Sequence, residues 1–166
     1  MTSQLTRAMP RKSMFDIRME RLMTTAEAAS IGGGAFGRIT IGDFSELFSM
    51  SLGFWSPEDY RNHWIAALVH LDAASDVTSC LISSVTHPSQ SNFVFCWPLY
   101  RDGDAVLVQN RILFLDELES PLDLARPWSV LKARESISED GDAISEWLTT
   151  IDEIRDYQRR QSIPMP

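Results

Sequence analysis

Between residues 93 and 115 the chain reads Phe93-Val94-Phe95-Cys96-Trp97-Pro98-Leu99-Tyr100, then Arg101-Asp102-Gly103-Asp104, then Ala105 to Leu115. An apolar run, a polar turn containing glycine and a return run predict a β-hairpin. The first arm is apolar at odd and even positions alike. Side chains alternate faces along a strand, so such an arm has to be covered on both sides, as a central strand is. The rest of the chain must supply that cover, and the hairpin is therefore the centre of the fold. Pro98 has no N–H to give to a ladder, which predicts a bulge or an unpaired side within the arm.

The strongest helix signal precedes the hairpin. Ser56 is a capping residue, Pro57 suits the first turn, and Glu58 and Asp59 sit where the helix dipole favours acids. Tyr60, Trp64, Ala67, Leu68 and Leu71 then recur at helical period, which predicts a helix over 57–74. Cys80 to Thr86 reads as a strand. Residues 116–127 are acidic and proline-punctuated, and predict a loop with a helical turn. Trp128 to Ile137 and Ala143 to Leu148 flank Glu139-Asp140-Gly141-Asp142 as a second predicted hairpin. Thr150 with Glu153 forms a capping box for a last helix, whose apolar stripe is Ile151, Ile154 and Tyr157.

Before residue 56 the signals are weaker. Residues 1–12 read as a mobile tail. Ser13 caps a predicted short helix with Asp16 as its partner, and Phe15, Met19, Leu22 and Met23 share one face of it. Thr24 to Gly37 is rich in small residues and reads as a linker. Arg38 to Ile41 is strand-like, and Phe44, Leu47 and Phe48 suit a helical turn capped by Asp43. The order predicts an α+β class: a central, twisted antiparallel sheet of about five strands, helices on one face or end, and an N-terminal extension. The expected organisation is an extension and Gly-rich linker over 1–37, one α+β domain over 38–161, and a tail over 162–166.

A chain of 166 residues with five Trp and eight Phe can bury a core without disulfide staples. Cys80 and Cys96 make no disulfide framework, so a reducing compartment is the simpler reading. Charged residues interrupt every N-terminal candidate for a signal peptide, and no apolar stretch is long enough to span a bilayer. The cytoplasm is the expected location, without membrane association. Net charge is −8, yet residues 1–30 carry five basic and three acidic residues, which leaves −10 on the remainder. An acidic body repels nucleic acid and attracts a basic partner.

No motif for catalysis survives inspection. Gly32-Gly33-Gly34-Ala35-Phe36-Gly37 satisfies G-x-G-x-x-G, but a Rossmann site needs a strand before it and a helix after it. A kinase loop needs a lysine on the next strand and two downstream aspartates, and Lys132 is the sole lysine after the loop. His63 and His70 are two turns apart on the predicted helix, about 10.5 Å of rise, too far to share an ion. No metal and no cofactor is expected. Cys96 has apolar neighbours and reads as a buried thiol, not a nucleophile. Trp55, Tyr60, Trp64, Trp97, Trp128 and Trp147 read mainly as core.

What remains is acidic. Asp116, Glu117, Glu119 and Asp123 fall in one predicted loop, and Glu139, Asp140 and Asp142 at a predicted hairpin tip. Loops on a rigid sheet are where binding residues concentrate, although a solvated acidic face has the same composition.

Gly42-Asp43-Phe44, Trp55, Asp59-Tyr60, Trp64, the stretches 92–100 and 104–115, and Gly141 to Trp147 together resemble the immunity proteins of bacterial contact-dependent growth inhibition (CDI) toxin–immunity systems. The resemblance runs from about Ile39 to Tyr157 and leaves 1–38 outside. It implies a cytoplasmic, non-catalytic protein that binds and silences the C-terminal domain of a delivered toxin, often a nuclease and hence basic. The seven acidic residues are then the candidate toxin-binding set. Two other readings stand beside it: a small-molecule-binding or catalytic α+β domain with an apolar pocket near His63 or Cys96, and an acidic adaptor or chaperone of a secretion effector.

Overall fold

The computed structural model describes residues 14–162. In chain order the elements are β1 (Phe15–Leu22), α1 (Thr25–Ile31), β2 (Ala35–Ile41), β3 (Phe44–Met50), α2 (Pro57–Asp72), β4 (Asp76–Ser84), β5 (Phe93–Asp102), β6 (Ala105–Val108), β7 (Arg111–Phe114), β8 (Trp147–Thr150) and α3 (Ile151–Ser162). Two 3-10 turns, Leu115–Glu117 and Pro127–Val130, lie between β7 and β8. The class is α+β, as expected. A five-stranded antiparallel sheet runs β4-β5-β6-β8, with β7 also on β5. A second sheet of three strands, β1-β2-β3, packs beside it.

The hairpin is the centre of the larger sheet. Asp102 pairs with Ala105 across a turn that places Gly103 at φ 61°, a conformation glycine adopts without penalty. The return strand is broken in two: β6 pairs with residues 99–102 of β5, and β7 with 93–96. The break falls opposite Pro98, whose carbonyl accepts from the Gln109 amide at 3.0 Å. N–H and C=O of one strand residue point the same way, so the missing donor of Pro98 faces the gap. The expected unpaired side is therefore between β6 and β7.

Helix α2 starts as its sequence demands. Ser56 Oγ accepts from the Asp59 amide, and the Asp59 carboxylate accepts from the Ser56 amide, at 3.1 and 2.8 Å. Tyr60, Trp64, Ala67, Leu68 and Leu71 are all buried. The helix also repairs the edge of β4. A bulge between Ile82 and Ser84 shifts the β4–β5 register, and α2 takes up the backbone groups turned outward there. His63 Nε2 accepts from Ile82 N–H and Trp64 Nε1 donates to Ile82 C=O, both at 2.8 Å. The Tyr60 hydroxyl accepts from Val85 N–H at 3.1 Å and donates to Ser51 C=O at 2.7 Å. Helix α3 treats β1 the same way: Tyr157 OH donates to Ile17 C=O and Arg160 to Phe15 C=O, each at 2.7 Å. Arg155 clamps Asp72 with two bonds and so ties α3 to α2.

The start of α3 follows expectation in part: Thr150 Oγ1 accepts from Glu153 N–H at 3.3 Å and Ile151, Ile154 and Tyr157 are buried, but the Glu153 carboxylate accepts from the Thr149 hydroxyl rather than closing the box on Thr150.

The N-terminal part departs from the expected layout. Residues 1–12, Ser13 and the tail after Ser162 lie outside the described residues. From Phe15 the chain is a strand, not a helix, with Phe15 and Ile17 fully in the core and paired to Ile41 and Ile39. The apolar positions fit both periods, but Phe15, Ile17 and Met19 alternate strictly with Asp16, Arg18 and Glu20, and pairing to β2 decides for the strand. The expected linker holds the short helix α1, with a Thr24/Glu27 capping box, and the first three residues of β2, Ala35 to Gly37. Residues 44–48 are strand rather than helical turn. The glycine motif is explained by packing. Gly37 pairs with Phe48 in β2–β3, and a Cβ at Gly37 would overlap the Phe48 ring and approach Met50 Sδ to 2.9 Å.

The second expected hairpin is vestigial. Ile137 and Ala143 form a single bridge, and residues 131–136 and 144–146 run as irregular chain.

Two stability effects are expected. Burial pushes the His63 imidazole down to about 4, against 6.5 in an open chain. The unfolded state alone takes up this proton between those values, so stability is full above pH 6.5 and falls on acidification towards 4, by about 3 kcal/mol at the limit. In urea titrations from pH 7 to 4 the His63→Gln variant should show a flatter profile than the parent; parallel profiles would refute the assignment. Gly37→Ala should cost about 1–3 kcal/mol by overpacking, because the Phe48 ring is held edge-on against Trp64 at 6.4 Å. An unchanged urea midpoint would contradict it.

Candidate functional site

Residues 115–146 cross one face of the larger sheet with little regular backbone. They form a lobe hung from a few fixed points. The Leu115 amide donates to Asn92 C=O at 2.7 Å. Trp128 stacks on His70 of α2, with ring centres 4.3 Å apart and planes 12° from parallel. Gln109 Nε2 donates to Glu135 C=O at 2.9 Å, and Arg134 grips Glu146 with two bonds of 2.8 Å. Leu115, Leu122, Leu124 and Trp128 pack on the core, so the apolar positions face in and the acids face out.

All seven candidate residues, Asp116, Glu117, Glu119, Asp123, Glu139, Asp140 and Asp142, are exposed. None forms an ion pair among the described residues, and Asp123 alone has a side-chain hydrogen bond, accepting from Ala125 N–H at 2.9 Å. Some other acids are engaged, Glu20 with Arg38, Glu27 with Arg21, Asp72 with Arg155 and, at the end of the lobe, Glu146 with Arg134, whereas Glu46, Glu58, Asp76 and Asp104 are also outside any ion pair among the described residues. The lobe thus carries uncommitted carboxylates.

The fold brings two of the seven to one cleft. Glu117 from the first 3-10 turn and Glu139 from the bridge turn line a cavity of about 230 Å³ between β7 and residues 130–139. Tyr100, Arg111, Lys132 and Glu135 line it too, so the cleft is of mixed charge. Asp116, Glu119, Asp123, Asp140 and Asp142 lie on the surface around it without lining it. Arg111, Lys132 and Glu135 had no motif to mark them; only the fold assembles them.

The groups suited to chemistry are engaged in structure. His63 is spent on Ile82, His70 on Trp128, and His87 Nδ1 accepts from Ser89 N–H at 3.1 Å. Cys80 and Cys96 are free thiols with no exposure, and hydrogen bonding with Cys96 together with burial pushes the Cys80 thiol well up. Such a thiol is a poor nucleophile. His63 and Cys96 are buried. Among the described residues no three His, Cys, Asp or Glu side chains are grouped to hold a metal ion, and no helix is long and apolar enough to cross a membrane.

One surface escaped the expected reading. Phe93, Phe95, Ile112 and Phe114 are 41%, 38%, 48% and 43% exposed. Phe93 pairs with Phe114 and Phe95 with Ile112, so the four share one face of β5 and β7. The first arm of the hairpin is therefore covered on both sides over Cys96 to Tyr100 and on one side only at Phe93 to Phe95.

Three comparisons bear on these features. Residues 50–157 match the family described as CdiI N-terminal domain. The chain is 32% identical over 121 residues to the immunity protein CdiI of Enterobacter cloacae subsp. cloacae, across 72% of this chain and 81% of that protein. It is also similar to a chain of the solved CdiA-CT/CdiI toxin and immunity complex from Enterobacter cloacae, with a TM-score of 0.75, 28% identity, and coverage of 89% of this chain and 97% of that one. Coverage of 89% is more than residues 39–157 can supply, so the likeness reaches into the N-terminal segment that the sequence resemblance left outside.

Because the seven candidate carboxylates form no ion pair among the described residues, their reversal should leave folding intact. In urea titrations Asp116→Lys, Glu117→Lys and Asp140→Lys should each change the unfolding free energy by no more than about 0.5 kcal/mol. Loss of more than about 1.5 kcal/mol in any of them would show that the carboxylate has a structural task.

Proposed function

The chain belongs to the CdiI immunity family, and from that premise we propose that it binds the C-terminal toxin domain of its own system in the cytoplasm and holds that domain inactive without catalysis. The observation that carries the proposal is the lobe over residues 115–146, with nine acidic residues against three basic ones. Seven of these carboxylates, Asp116, Glu117, Glu119, Asp123, Glu139, Asp140 and Asp142, are exposed and form no ion pair among the described residues, while Glu146 is held by Arg134. A partner with a basic surface fits this charge, and a nuclease groove is basic because it has to hold phosphates. Carboxylates placed where phosphates would lie compete for the same Arg and Lys side chains through charge-assisted hydrogen bonds.

Kinetics follow from the same geometry. Opposed charge steers the encounter and raises the association rate at low salt, which favours an inhibitor that must meet its target before damage is done. The cleft with Glu117 and Glu139 adds a recess of mixed charge, shared with Arg111 and Lys132, at the foot of the acidic lobe.

Expression of the toxin domain encoded beside this chain should arrest growth, and co-expression of the chain should restore it. The pair should purify as a complex whose association slows as salt is raised. Reversal of Asp116, Glu117, Glu119 and Asp123 together should slow association several-fold at low salt and flatten that salt dependence. Undiminished toxicity would refute the function; protection with salt-independent association would refute the acidic interface.

A further inference from the structure

The larger sheet has one face that is only partly roofed. Phe93, Phe95, Trp97 and Leu99 alternate onto this face along β5, which pairs without a bulge of its own. The three-stranded sheet roofs its far end: Phe44 of β3 lies 6.3 Å from Trp97 and stacks at 4.0 Å on Trp147. The roof stops there. Phe93 and Phe95 continue the face in the open, joined by Ile112 and Phe114 from β7. Phe93 meets Phe95 edge-on at 5.3 Å and Phe114 at 6.5 Å, so the four side chains form one continuous patch.

Soluble chains do not usually leave a contiguous set of large apolar side chains bare unless something covers them. The neighbouring groove fits the interior of an interface. It is lined by Ser84, Thr86, Gln90, Ser91 and Asn92 beside the two Phe rings, and none of these residues is charged. Interface centres combine aromatic anchors with a lack of charge, and their rims are polar. On the other side of the patch the chain turns directly from Phe114 into the 3-10 turn bearing Asp116 and Glu117, both exposed and without ion pairs among the described residues. Ile112 and Phe114 also border the mixed-charge cleft that holds Glu117, Arg111 and Lys132, so the patch adjoins the lobe there.

We propose that Phe93, Phe95, Ile112 and Phe114 are the apolar centre of the toxin-binding face, with Asp116 and Glu117 as its rim. This rests on the immunity reading and deepens it. The complementary toxin surface presents an apolar projection flanked by Lys or Arg. The aromatic centre sets how slowly the complex comes apart, and the acids set how fast it forms.

The test measures association and dissociation rates of the neighbouring-gene toxin domain, in inactivated form, with the full chain. Phe95→Ser, Ile112→Ser and Phe114→Ser should each speed dissociation at least about tenfold while association and its salt dependence change little. Asp116→Lys with Glu117→Lys should do the reverse. If a Ser variant loses stability, Phe93→Lys and Ile112→Lys report on the same face. Wild-type dissociation rates in the folded apolar variants would overturn the patch and leave the immunity reading standing; no binding by the parent chain would overturn both. Should the variants instead turn a dimer into a monomer in sedimentation while toxin binding is untouched, the patch joins two copies of this chain and the proposal falls.

Discussion

The fold depends on helix side chains that finish what the strands leave open. Strand β4 is an outer strand of its sheet, and its bulge turns the amide and carbonyl of Ile82 outward. Those groups are buried, so leaving them without partners would cost free energy comparable to a broken hydrogen bond each. His63 and Trp64, adjacent on α2, supply one acceptor and one donor to the same residue. Tyr60, one turn earlier, closes Val85 and Ser51. Helix α3 repeats the device on β1 through Tyr157 and Arg160. Tyr60, Trp64 and Tyr157 thus serve twice, with ring in the core and polar tip on a strand edge. An edge closed in this way cannot template pairing with another chain.

How much of this was legible followed from how local each cause is. The capping box at Ser56, the stripe from Tyr60 to Leu71, the hairpin turn at Gly103 and the cap at Thr150 are each fixed by neighbours within a few residues, and each was readable. Pro98 announced an interruption without saying where its partner strand would break. The errors came where distant pairing decides. Phe15 to Leu22 satisfies a helical and an alternating period, and the choice belongs to Ile39 and Ile41 across the sheet. Gly32 to Gly37 looked like a linker because the ring that needs Gly37 bare, Phe48, stands eleven residues away. The candidate site divides likewise. Its acids were visible as composition; the meeting of Glu117 with Glu139, and the bare end of β5, depend on how far the second sheet and the lobe extend, which no local pattern encodes.

Two surfaces of different physics lie side by side. The lobe offers charge over a wide area and acts over distances set by screening, about 8–10 Å at ordinary ionic strength. The β5–β7 patch offers area that matters only on contact. Neither alone makes a good inhibitor: charge without a dry centre gives fast but loose encounters, and an apolar patch without steering gives slow ones. Arg134, Arg155 and Arg38 are committed to acids within the chain, whereas Arg111 and Lys132 line the cleft beside Glu117 and Glu139 and keep that recess of mixed charge.

The single bridge between Ile137 and Ala143 has a consequence for how such a protein changes over generations. In a ladder, inserting one residue reverses the facing of everything beyond it. In residues 115–146 there is almost no ladder to disturb, and the stretch is pinned at separate points such as Trp128 on His70 and Arg134 on Glu146. Length and composition between the pins can therefore change while the sheets beneath keep their register, so this stretch tolerates insertions that a paired strand would not.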